Sequence, residues 1–221
     1  MIKEHTRLTN DIEQLIKRYV IVPKSSVYEC YRLYKSEQID LSIRSLLNQG
    51  IIYQVKLKIN PSSNQKSICY CIRNSGINDK STQTINGNSL WGLKQTLVLI
   101  ANLKRFYPSL IHNPSYFPLT AKVTVVTEAK EEKNIEIIYL TPDNKGRVYF
   151  HIDNENTNSL IRYVIMDGIF SKADIKELQT KIRNIKCLVK TGRKSDDVDY
   201  YSPDEYISEI LCKGGETNVS N

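Results

Sequence analysis

The apolar positions in the first third of the chain change their period once, from helical spacing to strict alternation. Behind Ser36, whose hydroxyl can cap a helix, apolar residues recur at helical spacing until Gly50. These residues are Ile39, Ile43, Leu46 and Leu47. From 51 to 59, and again from 68 to 72, apolar and polar residues alternate on either side of a Pro/Ser/Asn turn. The pattern predicts an amphipathic helix followed directly by a two-stranded β-hairpin.

Two helices are predicted upstream, and the second of them is short. Thr9 or Asn10 can cap the first, which ends before Pro23, and Ser25 or Ser26 can cap the second. The apolar stripe of the first helix consists of Ile12, Leu15, Ile16 and Tyr19. Three helices followed by a hairpin are the element order of the winged helix-turn-helix, which we predict for residues 1–75.

A polar segment rich in Gly and Asn, residues 76–88, is predicted to be an interdomain linker. Beyond it, Ser89 can cap an apolar helix over 90–105, whose apolar surface is wider than one stripe. Such a helix is sandwiched within its own domain or forms half of a dimer interface, and both can hold together.

The pattern over residues 89–211 predicts a second, α/β domain with a mixed sheet. Runs at 119–127, 135–141 and 147–152 predict an antiparallel meander, and a short helix is predicted at 156–161. A strand at 162–166, a helix capped by Ser171 and a strand at 185–190 predict a parallel, right-handed strand–helix–strand unit. A last helix over 203–211 and a disordered tail over 212–221 complete the prediction. The fold class is therefore α+β or α/β.

The basic excess lies in the predicted winged helix. The net charge is +7, and residues 1–75 hold 12 Lys/Arg against 6 Asp/Glu, while the rest holds 19 against 18. A basic small domain indicates a phosphate backbone or another anionic surface as its partner. Because no signal-peptide pattern and no bilayer-length apolar run is present, we expect a soluble, cytoplasmic protein without a membrane partner.

The polar face of the third helix supplies candidate DNA-binding residues. A step of 100° per residue places Gln38, Arg44 and Asn48 where they can pair with base edges, with Ser42 and Ser45 beside them. Basic residues of the second helix, the turn and the hairpin are predicted to contact phosphates: Lys24, Arg32, Lys35, Lys56, Lys58, Lys66 and Arg73. The predicted partner is double-stranded DNA.

Two other functions stay open. Outward-facing Glu37 and Leu41 are awkward in a DNA groove and favour a protein-docking adaptor. The order of helix, meander, helix and strand also resembles restriction-type nuclease cores, which hold a divalent metal with an acid on one strand and (D/E)-x-K on the next. Glu128-x-Lys130 and Glu131-x-Lys133 match the short pattern, although both fall at a predicted hairpin tip and no Asp or Glu lies between Asp79 and Glu128 to complete a metal pair.

No pattern in the sequence indicates a cofactor, a metal site or a small-molecule ligand. The five cysteines form no C-x-x-C pair, the three histidines lack ligand spacing, and no glycine-rich phosphate-binding motif occurs. We therefore predict a protein that is not an enzyme.

Several short motifs give the chain a resemblance to a known family: Leu90-Trp91, Phe117-Pro118, Glu136-Ile-Ile-Tyr139, Arg162-Tyr-Val-Ile-Met-Asp167 and Tyr200-Tyr201. Over residues 8–202 the chain resembles an uncharacterised family of winged-helix proteins encoded on conjugative transposons and plasmids of Gram-positive bacteria. The resemblance implies a mobile-element protein acting in transfer, replication or transcription, and carries no catalytic residues with it. We further expect a homodimer, formed through the second domain, that places two winged helices on a repeated or palindromic site.

Overall fold

The structure is a computed structural model that describes residues 2–59, 64–77, 84–126, 130–152, 160–192, 194 and 196–215, with side chains from residue 5 to residue 209. Seven helices and eleven strands lie within these ranges. The chain divides into two compact units, Met1–Ala101 and Asn102–Asn221. The protein is therefore a mixed α and β structure, as the alternation of patterns predicts.

The first unit contains three helices, a small antiparallel sheet and a short hairpin, and its boundary falls inside a fourth helix. Its elements are α1 (Ile2–Tyr19), β1 (Ile21–Pro23), α2 (Lys24–Cys30), α3 (Ser36–Asn48), β2 (Ile52–Lys58), β3 (Lys66–Ile72), β4 (Thr84–Ile85), β5 (Asn88–Ser89) and the first part of α4 (Leu90–Phe106). The strand order β1-β3-β2 places β3 at the centre, with both neighbours antiparallel. The predicted order of three helices and a hairpin is present, with β1 as an additional strand.

Burial in this unit follows the predicted stripes. Ile12, Leu15, Ile16 and Tyr19 of α1 are buried, and so are Ile39, Ile43 and Leu46 of α3. β3 departs from simple alternation, because Cys69, Tyr70 and Cys71 are all buried. Tyr70 lies on the opposite strand face from the two cysteines, so side chains on both faces of β3 are buried at this point.

The first three helices begin earlier than the sequence predicts. α1 extends well upstream of Thr9, the predicted cap, whose Oγ1 instead donates to the His5 carbonyl oxygen at 2.8 Å within the helix. Pro23 stands at the N-cap of α2, so neither predicted serine caps that helix. Lys35, rather than Ser36, is the N-cap of α3.

The predicted linker is partly structured. Residues 84–89 form the β4–β5 hairpin, and residues 78–83 lie outside the described ranges. Ser89 caps α4 as predicted, since its Oγ accepts a hydrogen bond from the Gly92 N–H at 3.0 Å.

The second unit contains a six-stranded mixed sheet and three helices. Its elements after α4 are β6 (Ile111–Pro114), β7 (Leu119–Val126), β8 (Glu132–Leu140), α5 (Lys145–His151), β9 (Leu160–Met166), α6 (Lys172–Lys181), β10 (Ile185–Thr191), β11 (Val198–Tyr201) and α7 (Pro203–Gly215). The order is β11-β10-β9-β8-β7-β6. β6, β7 and β8 run antiparallel, β8, β9 and β10 run parallel, and β11 runs antiparallel to β10.

The prediction of a third meander strand at 147–152 is wrong, because this segment forms α5. Two parallel neighbours such as β8 and β9 need a crossover between them, and a helix is the usual one. Val148 is buried and Ile152 packs against the same core four residues later, which is helical spacing.

Other predicted boundaries also change. Leu160 and Ile161 belong to β9 rather than to a helix, and residues 156–159 lie outside the described ranges. Residues 212–215 extend α7 instead of beginning a tail, while 216–221 are outside those ranges. β6 and β11 were not predicted.

One face of the six-stranded sheet carries α5, α6 and α7. The buried residues of this layer are Ile138, Leu140, Val148, Val164, Met166, Phe170, Ile175, Leu178, Ile182, Leu188 and Tyr206. Each large apolar side chain of this kind contributes about 1.5–3 kcal/mol when fully buried. Among the helices of the described ranges, none combines the length and the apolar character needed to cross a lipid bilayer.

Candidate nucleic-acid interface

The outward side of α3 presents two of the predicted base-reading side chains to solvent. Arg44 and Asn48 are exposed and lie one helical turn apart. Leu41 lies one turn earlier on the same side and is 54% exposed, and Glu37 is exposed as well. The exposed side of α3 therefore carries one cation, one amide, one carboxylate and one apolar group.

Local contacts change the three remaining predictions on α3. Gln38 is exposed, but its Oε1 accepts a hydrogen bond from the Lys35 N–H at 3.1 Å and so caps the helix. The prediction for Ser42 is wrong, because this residue is fully buried with its Oγ 3.2 Å from His5 Nδ1 of α1. Ser45 is half-buried and accepts a hydrogen bond at 2.8 Å from the glutamine four residues on.

The β2–β3 hairpin gathers three predicted phosphate-binding residues on one face. Lys56 and Lys58 point to the same side of β2, and Lys58 lies directly opposite Lys66 in the antiparallel register. Lys56 and Lys66 are exposed, whereas Lys58 is half-buried with its Nζ 3.5 Å from Asn64 Oδ1. Like charges directly opposite each other destabilise a strand pair, so this face gains from an anion placed over it.

A junction of Tyr28, Asp40 and Tyr70 links the lysine face of the hairpin to α3. The Tyr28 hydroxyl of α2 donates to Asp40 Oδ1 of α3. Tyr70 of β3 lies on the same strand face as Lys56, and the Asp40 carboxylate acts on the Tyr70 hydroxyl electrostatically. Burial and the hydrogen bond to Asp40 raise the pKa of Tyr28, so its hydroxyl stays protonated and keeps this contact. The Arg44 guanidinium opposes the rise in the pKa of Tyr28, though burial and Asp40 outweigh it.

The sequence analysis missed Tyr28 and Asp40 as parts of this surface. Helical periodicity assigns each residue to a face of its own helix, and it carries no information about which face meets a partner twelve residues away. The one sequence feature that points to this contact is the charged residue Asp40, which directly follows Ile39 of the apolar stripe of α3.

The other predicted phosphate-binding residues are spread around this surface. Lys24 opens α2 and is half-buried, with its Nζ 5.5 Å from the Tyr28 ring centroid. Arg32 is half-buried in the turn after α2, and Lys35 is exposed at the start of α3. Arg73 is exposed at the end of the hairpin opposite its turn.

Only some of the residues considered for a nuclease site lie in the part of the chain that the structure describes. Glu128 lies outside the described ranges, whereas Glu131 and Lys133 are exposed next to the β7–β8 connection. No group of three or more His, Cys, Asp or Glu side chains within those ranges is placed to hold a metal ion.

A different charged group occupies the sheet of the second unit. Glu136 of β8 accepts a hydrogen bond from Arg162 Nε of β9 at 3.0 Å, and Lys122 Nζ of β7 lies 3.6 Å from its other oxygen. Arg162 is 2% exposed and also donates from Nη1 to the Arg183 carbonyl oxygen at 3.2 Å. A carboxylate held between two cations is satisfied by the protein itself, so this row is a structural contact.

The apolar helix α4 is buried within the single chain. Leu90, Leu93, Leu97, Ile100 and Leu103 are all at most 5% exposed. Of the two interpretations left open by the sequence, this burial matches a helix sandwiched inside the chain. A dimer would therefore need another surface. Comparisons of the chain with protein-family models, curated proteins and solved structures found no match.

Proposed function

We propose that this protein binds double-stranded DNA through its first unit. In this proposal the unit is a winged helix-turn-helix in which α3 enters the major groove and the β2–β3 hairpin is the wing. The observation that carries the proposal is the lysine face of the hairpin, where Lys58 and Lys66 stand opposite each other beside Lys56. Phosphate oxygens are the anions that would relieve this repulsion.

The proposed mechanism divides affinity from sequence preference. Lys56, Lys58 and Lys66 anchor the backbone, since phosphate contacts fix position without specifying sequence. Arg44 can form a bidentate pair with guanine, and Asn48 can pair with adenine. Gln38 contributes less than its type suggests, because its Oε1 already caps α3.

The test measures fluorescence anisotropy of the full chain on duplexes from its own upstream region and on random duplexes of equal length, across a salt series. Arg44→Ala should weaken binding to the preferred duplex and cut discrimination by about 1–3 kcal/mol, with little change on random DNA. Lys56→Ala with Lys58→Ala should weaken binding to all duplexes and reduce the salt slope by about two.

Lys172→Ala with Lys176→Ala is the matched control, because both lysines are exposed on α6 of the other unit and the net charge changes equally. This control should keep duplex affinity and salt slope. Equal losses from the hairpin pair and the α6 pair would refute the assigned surface, since net charge alone would then explain binding.

A protein-docking adaptor is the second candidate, favoured by the apolar side chains next to the polar ones. Leu33, in the turn before α3, is 95% exposed, and Leu41 is 54% exposed. An adaptor would show no salt-dependent affinity for duplex DNA.

The wider biological role rests on the family resemblance. We propose a cytoplasmic regulator or accessory factor for the transfer, replication or transcription of a mobile element. A homodimer through the second unit would let two first units bind a repeated or palindromic site. Light scattering at increasing protein concentration, with and without DNA, tests the dimer: a monomer mass throughout would reject it.

A further inference from the structure

An aromatic group at the surface of the second unit, of which Phe117 is half-buried against the core, has no part in the proposed duplex binding. It consists of Phe117, which precedes β7, and Arg147, Phe150 and His151 of α5, and we call it the Phe150 cluster. The His151 ring centroid lies 5.0 Å from that of Phe150 and 5.8 Å from that of Phe117. The Arg147 guanidinium carbon lies 4.8 Å from the Phe117 ring centroid.

Core packing does not account for Phe150. Its side chain is 84% exposed, whereas Val148 of the same helix is fully buried. The neighbouring ring of His151 stands at 87° to it, an edge-to-face arrangement. Such a contact covers at most one broad face of Phe150, so the other broad face stays open to a flat ligand.

The composition of the cluster selects one ligand class. Aromatic side chains offer faces on which nucleic-acid bases stack, and an arginine beside them can hold a phosphate with its fork of N–H donors. Bases inside a duplex are already stacked on each other, whereas unpaired bases are free to stack on protein rings. An aliphatic peptide would use the rings but would have no need of Arg147.

We propose that the Phe150 cluster is a binding site for single-stranded nucleic acid, in which an unpaired base stacks on Phe150 and Arg147 contacts an adjacent phosphate. The site lies wholly within the second unit, so it does not depend on the duplex-binding surface of the first. The protein would then hold duplex and unpaired strands at two separate places.

The probe is a fluorescein-labelled thymidine strand of about 15 nucleotides, near the upper size of sites in single-strand-binding folds. Anisotropy is measured with the full chain. Phe150→Ala should weaken binding at least about fivefold, the lower end for loss of one base–aromatic stack. Phe150→Trp keeps a flat ring and should keep the affinity.

Phe106→Ala is the matched control, because Phe106 is also an exposed phenylalanine of the second unit, at 66%, and lies at the end of α4. It should leave the affinity unchanged. An abasic strand of equal length separates stacking from phosphate attraction: it should bind more weakly and should not distinguish Phe150→Ala from the unchanged chain.

The proposal is overturned if Phe150→Ala binds the thymidine strand as well as the unchanged chain, or if Phe106→Ala loses as much. It is also overturned if the abasic strand binds as tightly as the thymidine strand. Failure of duplex binding is a different result, since that is detected with Lys56→Ala and Lys58→Ala on duplex probes.

Discussion

Replacing Arg162 by methionine tests the buried ion pair at the centre of the six-stranded sheet. Arg162 is 2% exposed and donates from Nε to Glu136 Oε2 at 3.0 Å. The substitution keeps much of the side-chain volume but leaves a carboxylate that is 9% exposed without its main partner. Breaking a buried pair by removing one member costs about 3–5 kcal/mol. At about 2–4 °C per kcal/mol for a chain of this size, we expect Tm to fall by roughly 6–20 °C.

Circular dichroism during thermal and urea unfolding measures this loss, and two further variants make the cause clear. Arg105→Met removes an exposed pair with Asp196, whose side chains are 45% and 58% exposed, and should cost about 1 kcal/mol or less. Glu136→Leu combined with Arg162→Met removes both charges and should recover most of the stability, because an apolar pair of similar volume is often as stable. A double variant as unstable as the sum of its single variants would show that the charges are not coupled, which would refute the reasoning.

Two further predictions concern the second unit. Hydrogen bonds from Lys145 and Ser171 lower the pKa of Asp174 from 3.8 to about 2, so their stabilisation is present above pH 3.8 and is lost as pH falls through about 2. Urea midpoints of Asp174→Asn and the unchanged chain should therefore differ at neutral pH and converge near pH 2, and a constant difference would contradict the linkage. Gly168 has a φ of +114°, and a Cβ there would lie 2.9 Å from Pro142 Cδ. Gly168→Ala should cost about 1–3 kcal/mol in the same assay, and an unchanged midpoint would show that the loop relaxes freely.

The sequence predicted helices and strands best where burial follows a single period. The apolar stripes of α1 and α3 and the alternation in β2 each mark one buried face. The spacing of apolar residues was therefore sufficient to identify these elements. Spacing failed at residues 147–152, where alternating apolar and polar residues form α5. There the need for a crossover between β8 and β9 outweighs the local preference for a strand, and a long-range pairing of this kind cannot be read from a short window.

Periodicity also explains which residues of the candidate interface could be placed from the sequence and which could not. Arg44 and the hairpin lysines lie on exposed faces that periodicity alone identifies. Ser42 was misplaced because α1 begins earlier than its predicted cap, so His5 is helical and covers that side of α3. Tertiary contacts between elements, such as this one, are not encoded in the period of either helix.

The two edge strands of the six-stranded sheet affect how readily the protein aggregates at high concentration. β6 and β11 are each four residues long; β6 ends at Pro114, which has no N–H to offer an incoming strand, and β11 exposes the charged Asp199. The apolar run of β8 from Ile137 to Leu140 is buried and lies two strands inside one edge and three inside the other. Short edge strands that carry a proline or a charge discourage pairing with a second molecule. In the native fold, the buried strand β8 is therefore not available to start a fibre. These edges therefore disfavour self-association of the second unit through a sheet continued between two molecules.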